Sequence, residues 1–207
     1  MKFDAIAWDI DGTLVDSEPL HHRALLAACR RFGLDLSALP ASRFCGVHVF
    51  DVWQALRAEL PADLPREVWL RAIEDHYHAH SSELDAIPDS RETIRLLAAK
   101  GIKQACVSNS CRAIVESNLR ALGVRECMDV VVTLDDVNRG KPAPEPYQHA
   151  LSALGLPAAA VLAVEDSQTG ALSAQAAGMH VAFYGALPSS AQGVTAILSL
   201  THVLDWF

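Results

Sequence analysis

The sequence predicts an α/β fold, a parallel sheet flanked by helices, with an all-helical segment inserted after the first strand. Two observations predict it. From Ser90 onward, short apolar runs alternate with longer stretches of helical periodicity, the pattern of successive β-α units around a parallel sheet. Before that, the apolar run Phe3–Trp8 is followed by no second strand until Lys103, and helical patterns fill the gap.

The elements follow in order. Phe3–Trp8 is the first strand. Glu18–Gly33 is a helix with Leu20, Ala24, Leu25 and Ala28 on one face and Gly33 as its stop. His48–Leu60 and Pro65–Leu84 are two more helices, punctuated by Pro61 and by Pro65 at a first turn. Pro88 and Asp89 mark the return to the core. There the helices are Ser90–Lys100, Cys111–Leu122, Pro144–Leu154 and Ser167–Ala177, and each is followed closely by a glycine that can end it. The strands between and after them are Lys103–Val107, Val130–Leu134, Val161–Val164 and His180–Tyr184. Residues 187–193 read as a Pro/Ser/Gly loop, and beyond it Leu198, Leu200, Val203 and Leu204 are expected to pack against the core. This divides the chain into a core of residues 1–16 and 87–207 and a helical insert of residues 17–86.

At 207 residues the chain suits one domain, or a domain with an insert. Hydrophobic residues make up 51% and charged residues 20%, which excludes disorder. The net charge of −8 disfavours a sequence-independent nucleic-acid binder but leaves small anionic ligands open. Five cysteines without a C-x-x-C pair suit a reducing compartment. Asp4 and Asp9 interrupt any secretory apolar region, and no run is long enough for a membrane helix. A soluble, cytoplasmic chain with no membrane partner is expected, and a monomer, since no extra interface element stands out.

In open parallel sheets, ligands bind beyond the carboxyl ends of the strands. Here those ends carry Asp9-Ile10-Asp11-Gly12-Thr13, then Ser108-Asn109-Ser110, then a loop with Gly140-Lys141-Pro142, then Glu165-Asp166-Ser167. Asp9, Asp11, Glu165 and Asp166 would repel one another unless a hard divalent cation sat among them, and Mg2+ suits carboxylates, phosphate and water. Lys141, Ser108 and Asn109 supply donors for a phosphoryl group. Gly12, in a tight turn, lets its amide approach a phosphate oxygen. Each residue also has a plainer role open to it. An aspartate or Ser108 can cap the helix that follows, and Glu165 can be structural.

Asp9-Ile10-Asp11-Gly12-Thr13-Leu14-Val15-Asp16-Ser17-Glu18 resembles the first motif of the haloacid dehalogenase superfamily. Ser108-Asn109, Lys141-Pro142 and Glu165-Asp166 resemble its second, third and fourth motifs, in order and each at a strand end. The helical insert resembles the cap of the subfamily that includes β-phosphoglucomutase and sugar-phosphate phosphatases. The resemblance implies a Rossmann-like core and a Mg2+-dependent reaction on a small phosphorylated metabolite. In it Asp9 is the nucleophile that forms an aspartyl-phosphate, and Asp11 is the general acid and then base. Asp9, Asp11 (through its main-chain carbonyl) and Asp166 would attend the metal, with Glu165 close by, directly or through water. Gly12, Ser108, Asn109 and Lys141 would attend the phosphoryl group.

In the insert, the resemblance points to His21 and to Arg43, Gly46, Val47 and His48 as substrate-facing residues. The stretch around Gly46 is similar, over a short match, to that of bacterial 6-phosphogluconate phosphatase. Mutases of the subfamily carry an arginine two or three residues after that glycine, where this sequence has His48 and Val49. This favours a phosphatase over a phosphosugar mutase. A dehalogenase would not need Asp11 or the Glu165-Asp166 pair. Phosphonate cleavage would want a lysine in the insert, which has none. A non-catalytic phosphometabolite-binding module is the remaining alternative, disfavoured by the presence of both Asp9 and Asp11. His76 and His80 share a helix face without an acidic third ligand and read as a packed or solvated face. Cys106 reads as a small core residue.

Overall fold

The computed structural model describes residues 2–40, 43–44, 47, 49–186 and 193–207. The expectations on Gly46 and His48 therefore lie outside the described residues. The chain forms two compact units, residues 1–16 with 85–207, and residues 17–84.

The elements in chain order are β1 (Ala5–Trp8), β2 (Val15–Asp16), α1 (Glu18–Arg31), α2 (Val49–Leu56), α3 (Arg66–Ala79), β3 (Asp85–Ala86) and α4 (Ser90–Ala99). They continue with β4 (Lys103–Val107), α5 (Arg112–Leu122), β5 (Val130–Val132), α6 (Glu145–Leu154), β6 (Val161–Glu165), α7 (Gln168–Ala176), β7 (His180–Tyr184) and β8 (Val194–Ile197).

In the first unit six strands form one sheet in the order β5-β4-β1-β6-β7-β8, every pair parallel. β1 is central, with Ala5 opposite Lys103 on one side and Val161 on the other. All four of its residues are buried, as a strand covered on both faces must be. On one face Ala5, Ala7, Ala105, Val107 and Ala163 pack against Tyr147, Ala150, Leu151 and Leu154 of α6 and Ala171 and Ala174 of α7. Small strand residues let those helices sit close. On the other face the buried Trp8 needs a partner for its indole N–H. It donates to Gln104 Oε1 at 2.9 Å, and Gln104 Nε2 donates to the Ile94 carbonyl at 2.9 Å, so a glutamine inside a strand is satisfied at both ends.

Two elements differ from expectation. β2 and β3 pair antiparallel, Val15 with Ala86 and Asp16 with Asp85, so Asp85 and Ala86 belong to the first unit rather than to the insert. Two-residue strands leave no periodicity to read. β8 is an edge strand with Thr195 and Ala196 exposed, and its pattern does not announce itself. Leu200 and Val203 are buried beyond it, whereas Leu198, expected to pack, is 78% exposed. Other bounds moved slightly. α2 ends at Leu56, α3 at Ala79 and β5 at Val132, each followed within a few residues by a turn or short 3-10 segment.

The second unit is helical. Leu20, Ala24, Leu25, Ala28 and Cys29 of α1 are buried, as are Trp69, Ala72, Ile73 and Tyr77 of α3, and the two helices pack together. The rings of Trp53 in α2 and Trp69 lie 5.3 Å apart. No helix of the described residues is long and apolar enough to cross a membrane.

Candidate active site

Four strands deliver the site. Asp9 leaves β1 with its N–H on the Val164 carbonyl at 2.9 Å, which ties the start of the loop to β6. Ser108 leaves β4 with its N–H on the Val132 carbonyl at 3.0 Å. The loop after β5 brings Lys141, and β6 ends in Glu165 followed by Asp166.

Lys141 is the centre of the arrangement. Its ammonium is buried and donates to Asp9 Oδ1 at 2.7 Å, to Glu165 Oε1 at 2.6 Å and to the Val107 carbonyl at 2.8 Å. Three protons thus meet three acceptors, and the charge is held in place by them. Burial works against the ammonium, but the carboxylates of Asp9 and Glu165 outweigh it and hold Lys141 above its ordinary value. The backbone of Lys141 is gripped as well. Its N–H donates to Asn109 Oδ1 at 2.7 Å, and its carbonyl accepts from Asn109 Nδ2 at 3.0 Å. Gly140 makes this possible, because a Cβ there would come within 2.6 Å of Asn109 Oδ1. The Asn109 side chain, expected at the phosphate, is spent on Lys141.

Glu165 is fully buried. Its Oε1 accepts from Lys141 and from the Tyr147 hydroxyl at 2.5 Å, while Oε2 accepts from Ser167 Oγ at 3.3 Å. Gly170 in the first turn of α7 leaves room for it, since a Cβ at that position would overlap the Glu165 carboxylate. Asp166 is half-buried and accepts from Thr13 Oγ1 at 3.1 Å. Burial and the neighbouring Glu165 raise Asp166 above the ordinary carboxylate range.

Gly12 has a role other than the one expected. Its N–H donates to the Val15 carbonyl at 2.9 Å and so closes the turn after β1. Its φ of +90° is one that a side chain rarely adopts, and a Cβ would collide with Asp166 Oδ2. Glycine is required there to seat Asp166. Asp11, one residue before, accepts from Ser108 Oγ at 3.2 Å and Ser110 Oγ at 2.9 Å on Oδ2, and from Asn118 Nδ2 at 3.1 Å on Oδ1.

Asp9, Glu165 and Asp166 offer carboxylate oxygens within 4.8 Å of one another. Asp9 Oδ2 is buried and, among the described residues, has no hydrogen-bond partner. Burial pushes the Asp9 carboxyl well up; the Lys141 charge opposes this, while Glu165, Asp166 and Asp11 add to it. Three clustered carboxylates, an orphaned oxygen and a single ammonium fit a hard, oxygen-loving divalent cation. Among the described residues no other group of three metal-ligating side chains is present. His76 and His80 stack at 4.1 Å between ring centroids, with His80 Nδ1 2.8 Å from the His76 carbonyl, as a packed face. Burial raises the Cys106 thiol far above its ordinary value, in keeping with a core residue.

The residues expected to face substrate in the insert lie in the second unit. The His21 ring packs 4.6 Å from that of Tyr77. The exposed Arg43 places its guanidinium 5.8 Å from the Phe44 ring centroid and lines a cavity with Leu36, Leu39, Leu56 and Glu59. Val47 is exposed.

Sequence reasoning places Thr13 and Ser110 in the strand-end stretches without giving them a role, and misses Tyr147 and Asn118. A hydroxyl on the buried face of α6 and an amide on the buried face of α5 were the available signals.

The haloacid dehalogenase-like hydrolase family matches residues 6–184. The chain is 35% identical over 188 residues to phosphoglycolate phosphatase of Yersinia pseudotuberculosis, covering 86% of this chain and 80% of that protein. It is 29% identical over 191 residues to a phosphorylated carbohydrates phosphatase of Thermotoga maritima, covering 92% and 88%. A solved structure of a CbbY mutant from Rhodobacter sphaeroides in complex with xylulose-(1,5)bisphosphate has a TM-score of 0.79 and 28% identity, covering 89% of this chain and 87% of that one. With the carboxylates, the buried lysine and the parallel sheet that carries them, these matches show that the chain belongs to the haloacid dehalogenase-like hydrolases, as a phosphatase of that family.

Proposed function

We propose that the chain is a Mg2+-dependent phosphatase of small phosphorylated metabolites, sugar phosphates or sugar-acid phosphates such as 6-phosphogluconate, acting through an aspartyl-phosphate on Asp9. One observation carries this reading. Among the described residues, Asp9 has one oxygen fixed by Lys141 at 2.7 Å and the other buried without a hydrogen-bond partner, two residues before a carboxylate held by Ser108, Ser110 and Asn118.

In the first half-reaction a carboxylate oxygen of Asp9 attacks phosphorus and the bond from phosphorus to the leaving oxygen breaks. Asp11 gives its proton to that oxygen. In the second, Asp11 takes a proton from water as the water attacks phosphorus. Inorganic phosphate leaves and Asp9 is restored. Ser108 and the main chain of the Ser108-Asn109 turn hold phosphoryl oxygens. Lys141 orients Asp9 and offsets the repulsion between a carboxylate and a phosphate dianion. Asp9 and Asp166, with the Asp11 main-chain carbonyl, would hold Mg2+, and Glu165, already engaged with Lys141 and Tyr147, would act close by. When bound, the ion supplies positive charge beside the equatorial oxygens of the transition state.

The relatives' names bear on substrate, since they speak of phosphoglycolate and phosphorylated carbohydrates. The test is a panel of 6-phosphogluconate, hexose and pentose phosphates, phosphoglycolate and β-glucose 1-phosphate. Wild type and Asp9→Asn are compared with Mg2+ and with chelator. Phosphate release that needs both Mg2+ and Asp9 is the expected result, and the ranking names the substrate. Isomer formation without net phosphate release would make the chain a phosphosugar mutase. Silence from a folded, Mg2+-binding protein would overturn catalysis altogether.

A further inference from the structure

Asn118 lies on the second turn of α5, fully buried. An amide in that position costs free energy unless it is hydrogen-bonded. Its neighbour Ser117 solves the same problem locally, with Oγ on the Ala113 carbonyl at 2.9 Å. Asn118 instead reaches across the fold to Asp11 Oδ1 at 3.1 Å. Ser110, just before α5, reaches Asp11 Oδ2 at 2.9 Å. One loop and helix thus hold both oxygens of one carboxylate.

The two oxygens are held differently. An amide nitrogen only donates, so Oδ1 serves Asn118 as an acceptor. A hydroxyl can donate or accept, so Ser110, together with Ser108 on the same oxygen, tolerates Oδ2 with or without a proton. The arrangement therefore holds the two oxygens by donors of different kind, an amide on Oδ1 and hydroxyls on Oδ2, and only the partners of Oδ2 can also accept a proton from it.

We infer that Asn118 and Ser110 are positioning residues for proton transfer by Asp11, Asn118 fixing Oδ1 as acceptor and Ser110 allowing Oδ2 to carry the transferred proton. The inference rests on the reading of Asp11 as the general acid and base. Without Asn118 the carboxyl can rotate and its two oxygens exchange. The proton is then delivered from no fixed place, and substrates whose leaving group most needs protonation suffer most.

The test compares kcat/KM for phenyl phosphate and for 4-nitrophenyl phosphate, whose leaving group needs little protonation. It uses wild type, Asp9→Asn, Asn118→Leu, Ser110→Ala and Ser110→Thr, with Mg2+ present and folding followed by circular dichroism. Asn118→Leu and Ser110→Ala are expected to lose about tenfold on phenyl phosphate and less than about threefold on 4-nitrophenyl phosphate, part of the range general acid catalysis supplies. Ser110→Thr, which keeps the hydroxyl, should restore the wild-type ratio. Equal losses on both esters would mean a merely structural role and overturn the inference, as would no loss on either. Should Asn118→Leu fail to fold, the Ser110 pair decides by the same ratio. Wild type inactive on both esters, or Asp9→Asn as active as wild type, would overturn the phosphatase reading itself and this inference with it.

Discussion

The hydroxyl of Tyr147 donates to Oε1 of Glu165 at 2.5 Å, and the same oxygen receives the Lys141 ammonium at 2.6 Å. The Lys141 nitrogen also lies 5.2 Å from the Tyr147 ring centroid. One tyrosine therefore holds the lysine in two ways, through its ring and through the carboxylate that the lysine pairs with. Burial first, then the negative charges of Glu165 and Asp9, raise the Tyr147 hydroxyl well above its ordinary value, so it remains a donor.

Tyr147→Phe keeps the ring and removes the donor. Glu165 is then left with Lys141 and the long contact from Ser167. The expected loss of stability is about 1–3 kcal/mol, the cost of a hydrogen bond to a charged group. The turnover number should fall severalfold with KM nearly unchanged, because the lysine moves relative to Asp9 while substrate contacts remain. Urea unfolding and steady-state kinetics on one variant check both. A stable variant with wild-type turnover would show that Glu165 needs no help.

Such a residue is hard to read from sequence. Asp9, Asp11, Lys141, Glu165 and Asp166 stand out because charged groups at the ends of apolar runs have no packing explanation. Tyr147 sits at a buried position of α6, where an aromatic ring is explained by packing alone, and nothing in the helix pattern marks its hydroxyl. Asn118 is hidden in the same manner, since its partner Asp11 is 107 residues away. The sheet shows the same division. β1, β6 and β7 are buried on both faces or nearly so and read as apolar runs, whereas β8 is half-exposed and β2 and β3 are too short to carry a pattern. At Gly12 the sequence marks a tight turn, but nothing in it says that the group needing the space is the Asp166 side chain, 153 residues beyond its neighbour Thr13.

Lys141→Met removes a cation of similar length and leaves Asp9 and Glu165 facing each other without compensation. Breaking a buried ion pair from one side costs about 3–5 kcal/mol. The double variant Lys141→Met, Glu165→Gln removes the stranded charge as well, so it should be more stable than Lys141→Met alone. Chemical unfolding of the single and double variants measures this directly. Additive losses would mean that the two groups do not share one network.

Asp136 sets an acid limit on stability. Partial burial pushes its carboxyl up, but the Arg112 guanidinium at 2.5 Å and the Thr133 hydroxyl and N–H at 2.7 and 2.8 Å outweigh that and hold it down at about 2. A carboxylate lowered in the folded state adds stability above its unfolded value of about 4 and loses it as pH falls toward about 2. The side chain is 25% exposed, so solvent screening leaves about 1–2 kcal/mol. Asp136→Asn should lose that amount at neutral pH and show a flatter decline in stability between pH 4 and pH 2. Parallel pH titrations of melting temperature would reveal the difference, and identical slopes would dismiss it.

Mg2+ binding at the carboxylate cluster can be read apart from turnover, through thermal unfolding. A cation that binds only the folded chain raises its stability by about 2.7 kcal/mol at a hundredfold excess over its dissociation constant. Mg2+ should therefore raise the melting temperature of wild type, and chelator should reverse it. Asp166→Asn removes a ligand charge and should abolish most of the rise. Gly12→Ala should do so too, because the added Cβ occupies the place of Asp166 Oδ2 at a backbone angle that alanine resists. Asp136→Asn, remote from the cluster, should keep the full rise although its starting stability is lower. Asp9→Asn is the informative case. It keeps a side-chain oxygen but loses the negative charge that the cation would meet, so the Mg2+ increment should fall. An undiminished increment in Asp9→Asn and Asp166→Asn together would place the ion away from this cluster.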